Sequence, residues 1–154
     1  MRSPNLSNPV HLLAFGFGSG LARRAPGTWG TLAALVLWWP LIQLPAPLYV
    51  ALVAVAAVGG IYLCGRTASD MGVHDHGGIV WDEFVGLWIA LSTVPLQWPW
   101  VVAGFALFRL LDIWKPWPIR WFDRALPGGF GIMVDDMVAG LLVALVLAVA
   151  QTVA

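Results

Sequence analysis

The sequence predicts an all-α membrane protein: a polytopic helical bundle of about five passes, arranged as two hairpins plus a C-terminal helix. Three observations predict it. Of 154 residues, 60% are hydrophobic and 10% charged, and the mean hydropathy is +0.82, values that no ordinary water-soluble domain carries. No Asp, Glu, Lys or Arg occurs in residues 25–65, 84–108 or 137–154, so 84 positions form three apolar blocks and all sixteen charges share the other seventy. Nine of the ten tryptophans, whose rings prefer the membrane interface, fall near the ends of the passes that these blocks define.

Residues 1–27 read as a cytoplasmic, glycine-rich segment. They are not a cleavable signal, because Gly16, Gly18 and Gly20 cut the apolar stretch from Leu12 to Ala22 and no small-residue cleavage site follows. The first block holds two passes of 17 residues, Thr28–Leu44 and Pro47–Leu63, broken at Pro45-Ala46-Pro47, which cannot continue a helix. The second block is either one tilted span or a hairpin with arms 79–94 and 98–113. One span would set Arg109, Lys115, Arg120 and Arg124 across the membrane from Arg2, Arg23, Arg24 and Arg66, whereas a hairpin keeps all eight basic residues inside. The hairpin is therefore preferred. A fifth pass over 134–153 begins at Asp135-Asp136 and leaves the C-terminus outside.

Trp38, Trp39, Trp98 and Trp100 then mark the outer turns, and Trp29, Trp81, Trp114, Trp117 and Trp121 the inner ends, with Trp88 the exception. No linker divides the chain, so residues 1–154 read as one domain, with 28–154 its helical bundle. Gly59-Gly60 and Ala139-Gly140 are expected to let helices approach closely.

Eight basic and eight acidic residues cancel, which leaves no basic face for nucleic acid. Cys64 is alone, which excludes an internal disulfide and a cysteine-cluster metal site.

Four polar segments are expected to meet on the cytoplasmic face. Gly16 to Thr28 is a glycine-rich loop before the first pass, either a plain turn or an oxyanion cradle with Arg24 and Thr28 at its end. Asp70 to Glu83 carries His74, His76, Asp82 and Glu83; a His-X-His pair without two further spaced ligands is a poor zinc site. In Phe108 to Arg124, Arg109 and Asp112 share a helix face, and Lys115, Arg120 and Arg124 suit a phosphorylated headgroup. Gly128 to Gly140 holds adjacent carboxylates, where capping needs at most one. Asp82, Glu83, Asp112, Asp135 and Asp136 are candidate oxygen ligands for magnesium, which takes one or two carboxylates, several waters and the substrate phosphate. The expected catalytic set is Asp136, Asp135, Asp82 and Asp112; the expected headgroup set is Lys115, Arg109, Arg120, Arg124, Arg24, Thr28 and His76.

Through GFGSGLARRAPGTWGTLA, DMGVHDHGGIVWDEFVG, FRLLDIWKPWPIRWFDR and GGFGIMVDDMVAG, in this order from about Val10 to Val146, the sequence resembles the bacterial phosphatidylglycerophosphatase A family. The resemblance implies a magnesium-dependent lipid phosphatase of the inner membrane, converting phosphatidylglycerophosphate to phosphatidylglycerol. Other phosphatase chemistries find no support: Asp70, not Arg, stands six positions after Cys64, and there is no Asp-X-Asp motif. A metal-activated water is the preferred nucleophile, with an aspartyl-phosphate left open. A small transporter or scaffold fits less well, because transport sites lie near the membrane midplane and no pass carries a charge at its centre. A phosphotransferase acting on another lipid headgroup is the remaining alternative.

Overall fold

The computed structural model describes residues 2–153, and no β-strand occurs among them. The chain forms α1 (Pro9–Ala14), a 3-10 turn (Gly16–Leu21), α2 (Pro26–Leu41), α3 (Ala46–Met71), α4 (Trp81–Ala90), α5 (Trp98–Trp114), α6 (Ile119–Ala125) and α7 (Gly128–Gln151). Proline starts several of them, at the first turns of α2, α3 and α5, where its missing N–H costs nothing. Gly72, at φ 70°, closes α3 in the left-handed conformation that suits glycine.

α2, α3, α4, α5 and α7 overlap the five predicted apolar segments and run alternately up and down. At one end the starts of α2 and α4 meet the end of α5, where Gly27 abuts Glu83 and Arg109, and Gly65 of α3 abuts Gly129 of α7. At the other end Trp39 of α2 stacks on Trp98 of α5, with ring centroids 5.8 Å apart. Close packing uses glycine as expected at Gly60, against Met133 and Trp81, and at Gly140, against the Gly86 carbonyl; Gly59 faces open space.

α3 and α7 are long and apolar enough to cross a membrane by length and composition. α2, α5 and these two present Val36, Val102, Val55, Val58, Leu141 and Leu145 outward, all more than half exposed. An apolar surface this extensive belongs to a membrane-associated protein.

Three boundaries differ from the expected ones. α3 continues to Met71, because Thr67, Ala68 and Met71 are buried against the N-terminal segment, where His11 Nε2–H donates to Asp70 at 3.3 Å and Arg2 N–H to the Met71 carbonyl at 3.0 Å. α4 is only 10 residues long, about 15 Å by its rise, and is buried on nearly every side, so the arm expected over 79–94 is a central core helix followed by a bent segment. α7 starts at Gly128 rather than near Val134. The Asp135-Asp136 pair therefore lies two turns inside the helix, where neither side chain caps an N-terminus.

The tryptophan belts also need correction. Trp38 is fully buried. Trp81 is partly buried, stacked on Phe84 and donating to the Ala56 carbonyl at 3.0 Å. Trp88, the expected exception, is a core residue whose indole donates to the Ala34 carbonyl at 2.9 Å.

Candidate active site

The bundle end that holds the starts of α2, α4 and α7 gathers the charges. Arg109, near the end of α5, donates through Nη1 to Glu83 Oε1 and to Thr31 Oγ1, each at 3.3 Å, and to Asp112 one turn on. Thr31 in turn donates to the Gly27 carbonyl at 2.8 Å. One guanidinium thus ties α2, α4 and α5 together, and it does so almost out of solvent, with the Arg109 side chain 12% exposed. Gly27 has no Cβ because there is no room for one: it would overlap Glu83 Oε1.

Lys115 makes the second junction. It terminates α5 in the left-handed conformation, φ 45°, and donates to Asp123 of α6 at 2.6 Å and Asp135 of α7 at 2.5 Å. Partial burial works against its charge, but the hydrogen bonds to the two carboxylates outweigh that and hold its pKa above the ordinary lysine value.

The remaining acids have no cation. Asp136, 2% exposed, makes no ion pair among the described residues, and its charge interacts with those of Asp112, Asp82, Asp135 and Glu83. Asp82 opens α4, accepts the Glu83 backbone N–H at 3.1 Å, and likewise has no basic partner there. Glu83 Oε2, Asp135 Oδ1 and Asp136 Oδ2 are buried oxygens that no described donor satisfies. Buried polar atoms are normally hydrogen-bonded, and buried charges paired or bound to metal. Two cations, Arg109 and Lys115, thus face six carboxylates once Asp123 is included. The imbalance and the orphaned oxygens fit a divalent cation, a hard ion that takes oxygen ligands. Among the described residues no three His, Cys, Asp or Glu side chains form a ready metal cage. A magnesium site does not require one, since water and substrate phosphate complete its shell.

The five acids expected as ligands do converge, yet their partners divide them: Glu83 and Asp112 are bound to Arg109 and Asp135 to Lys115, which leaves Asp82 and Asp136 uncommitted. The expected headgroup residues disperse further. Arg109 and Lys115 are within the cluster, and Thr28 is partly buried in the first turn of α2, three residues before Thr31. Arg24 is exposed. His76 accepts the Gly78 N–H at 3.0 Å and packs its ring on Phe15, bordering a separate hollow with Arg2 and Met71. Arg120 and Arg124 are exposed on α6, in another hollow that none of the five acids lines. The glycine-rich segment is a packed turn rather than an open cradle: Gly20 lies against the Gly78 backbone, and Ser19 donates to the Gly16 carbonyl at 2.8 Å.

Two residues with a place in the cluster carry no role in the sequence reading, Thr31 and Asp123. Thr31 had a legible signal, its position one helical turn after Gly27 in a polar entry to an apolar pass; Asp123 had none beyond its charge.

The phosphatidylglycerophosphatase A family model matches residues 12–151. A protein named phosphatidylglycerophosphatase A from Escherichia coli K12 is 59% identical over 138 residues, covering 89% of this chain and 80% of that one. Its namesake in Haemophilus influenzae is 53% identical, covering 92% and 88%. A Bacteroides thetaiotaomicron protein with the provisional name phosphatidylinositol-3-phosphatase is 41% identical, covering 92% and 93%. No solved structure matches.

Proposed function

Because the chain belongs to the phosphatidylglycerophosphatase A family, we propose that it hydrolyses the terminal phosphate monoester of phosphatidylglycerophosphate, giving phosphatidylglycerol and inorganic phosphate. The observation that carries the reading is the knot of buried and half-buried acids on α4, α5 and α7, three of them with an oxygen that no described protein donor satisfies. A centre so rich in negative charge cannot bind a phosphate dianion by itself. Asp82 and Asp136, the two acids without a cation, would hold magnesium together with water and the substrate phosphate. When bound, the ion neutralises phosphoryl oxygens and activates the attacking water.

The chain's own residues supply the rest. Arg109 ties Glu83 and Asp112 into one array and offsets part of its negative charge, which fixes α4 against α5 and positions Asp82 beside Glu83. Lys115, its side chain 28% exposed, is the cation best able to reach a phosphate oxygen while it remains bonded to Asp135. A carboxylate of the Asp82–Asp135–Asp136 group takes the proton of the attacking water. As the new P–O bond forms and the bond to the glycerol oxygen breaks, that proton is returned to the leaving oxygen. Phosphoryl transfer needs little more than positioning and charge stabilisation, which rigid helix ends provide.

The same proposal sets the chain in the bacterial inner membrane with this bundle end in the cytoplasm, so that all basic residues lie inside. Five crossings remain the reading, with α4 and the bent segment 91–97 making one together. Non-helical backbone at membrane depth is tolerated when buried in protein, and Leu91 and Val94 are buried while Thr93 Oγ1 donates to the Ala144 carbonyl at 3.3 Å.

The test is phosphate release by purified protein from phosphatidylglycerophosphate and, in parallel, from phosphatidylinositol 3-phosphate, with magnesium and with chelator. Release from the first, lost in chelator and restored by magnesium, supports the proposal. Preference for the inositol lipid would move the chain toward its Bacteroides relative, and activity indifferent to chelator would remove the metal.

A further inference from the structure

α6 has two faces with different chemistry. Ile119 is fully buried, Phe122 is partly buried and Asp123 is bonded to Lys115, so these positions hold the helix to α7 and to the end of α5. The other face carries Arg120, Trp121 and Arg124, which with Trp117 and Ala125 line an open hollow of about 420 Å³. Trp117 is 84% exposed and Trp121 58%. Arg120 donates to the Trp114 carbonyl at 3.3 Å, and no carboxylate pairs with either guanidinium among the described residues. Since Asp123, the sole acid of α6, is engaged by Lys115, the outward face presents two positive charges and no negative one.

Helical spacing brings Arg120 and Arg124 to the same side. A face turned to acyl chains would carry aliphatic residues, as α3 and α7 do. Indole rings seek the headgroup level, and a pair of guanidinium forks matches phosphate oxygens. Free phosphate would leave two exposed indoles in water, whereas a lipid offers its phosphate to the arginines and its glycerol and upper chain to the rings.

We infer that the α6 hollow binds the headgroup phosphate of an anionic membrane phospholipid other than the one being hydrolysed, seating α6 on the cytoplasmic leaflet. This lipid site is separate from the acid cluster, but the link Asp123–Lys115–Asp135 connects the two. The inference rests on the membrane-embedded reading of the chain.

The experiment uses the full chain with a polarity-sensitive fluorophore on Ala125→Cys in a Cys64→Ser background, in nanodiscs of phosphatidylcholine with or without phosphatidylserine. Phosphatidylserine should shift the emission to the blue. Arg120→Gln with Arg124→Gln should reduce that shift severalfold, Arg120→Lys with Arg124→Lys should restore most of it, and added salt should weaken it. An equal shift in the glutamine variant, no difference between the two lipid compositions, or an equal shift on adding inorganic phosphate to phosphatidylcholine discs overturns the inference. A chain retained in the disc that ignores phosphatidylserine loses this inference alone; a chain that elutes free of the disc loses the embedding as well.

Discussion

Asp136→Asn separates a catalytic acid from a structural one because it should lower turnover while leaving stability nearly unchanged or higher. The side chain is 2% exposed, has an oxygen without a described partner, and sits among the charges of Asp112, Asp82, Asp135 and Glu83. In the absence of metal, a like charge about 4 Å away costs about 4 kcal/mol at an effective dielectric near 20, and one at twice that distance about half as much. Removing one member of such a group relieves repulsion. Against that, the new amide N–H needs a partner, and leaving it unsatisfied costs about 1–3 kcal/mol. The two roughly offset, so the melting temperature measured in detergent without magnesium should stay within a few degrees of wild type or rise. Turnover should fall by about a hundredfold, near 3 kcal/mol, because a neutral ligand weakens both the metal and the charge stabilisation it provides. Excess magnesium should recover part of the loss if the defect lies in metal affinity. Hydrolysis of phosphatidylglycerophosphate near the wild-type rate at limiting magnesium would refute the reasoning and leave Asp82 as the principal candidate.

Cys64→Ser should keep most of its activity in a phosphate-release assay. Its thiol is buried and contacts Met133 Sδ at 3.8 Å, so the cost falls on stability, about 1–3 kcal/mol for a poorly satisfied hydroxyl; a folded but inactive variant would bring back cysteine chemistry. Gly27→Ala should lower activity and stability together, because the added methyl overlaps Glu83 Oε1 and approaches the Arg109 nitrogens at 3.0 and 3.2 Å. Unfolding and turnover measured on the same preparation check this, and wild-type behaviour would mean that the Arg109 junction is slack. For topology, single cysteines at the exposed positions Ser69 and Gly77 in a Cys64→Ser background should be shielded from an impermeant thiol reagent added outside intact cells, while one at Ala46 reacts. Labelling of Gly77 and Ala46 from the same side would break the first hairpin.

Much of the helix plan was legible because apolar blocks and prolines are local signals. Pro45 ends the link between α2 and α3, Pro47 stands in the first turn of α3, and Pro99 in the first turn of α5. What failed were properties set by neighbours. Hydropathy treats Phe84 to Ala90 as it treats the apolar run in α3, although the first is buried by protein on nearly every side and the second is largely exposed. A short core helix and a membrane span satisfy the same composition, and only packing distinguishes them. Trp38 and Trp81 misled for the same reason: an indole that finds a close-packed slot or a backbone carbonyl inside the bundle has no need of the interface.

The candidate site divides along the same line. That Asp82, Glu83, Asp112, Asp135 and Asp136 would share one end followed from charge placement, since each stands at or near the edge of a charge-free block and the hairpin reading brings those edges to one side. Their unequal standing did not follow, because it depends on which two acids the Arg109 fork reaches and on Lys115 turning back at the end of α5 to meet Asp123 and Asp135. Those choices leave Asp82 and Asp136 as the acids without a cation, on the two helices whose backbones meet at Gly86 and Gly140. Neither position has room for a Cβ, so α4 and α7 pack backbone against backbone at this crossing. Like charges buried at such a crossing carry an electrostatic cost, and a divalent cation arriving with a phosphorylated headgroup is the partner that would offset it.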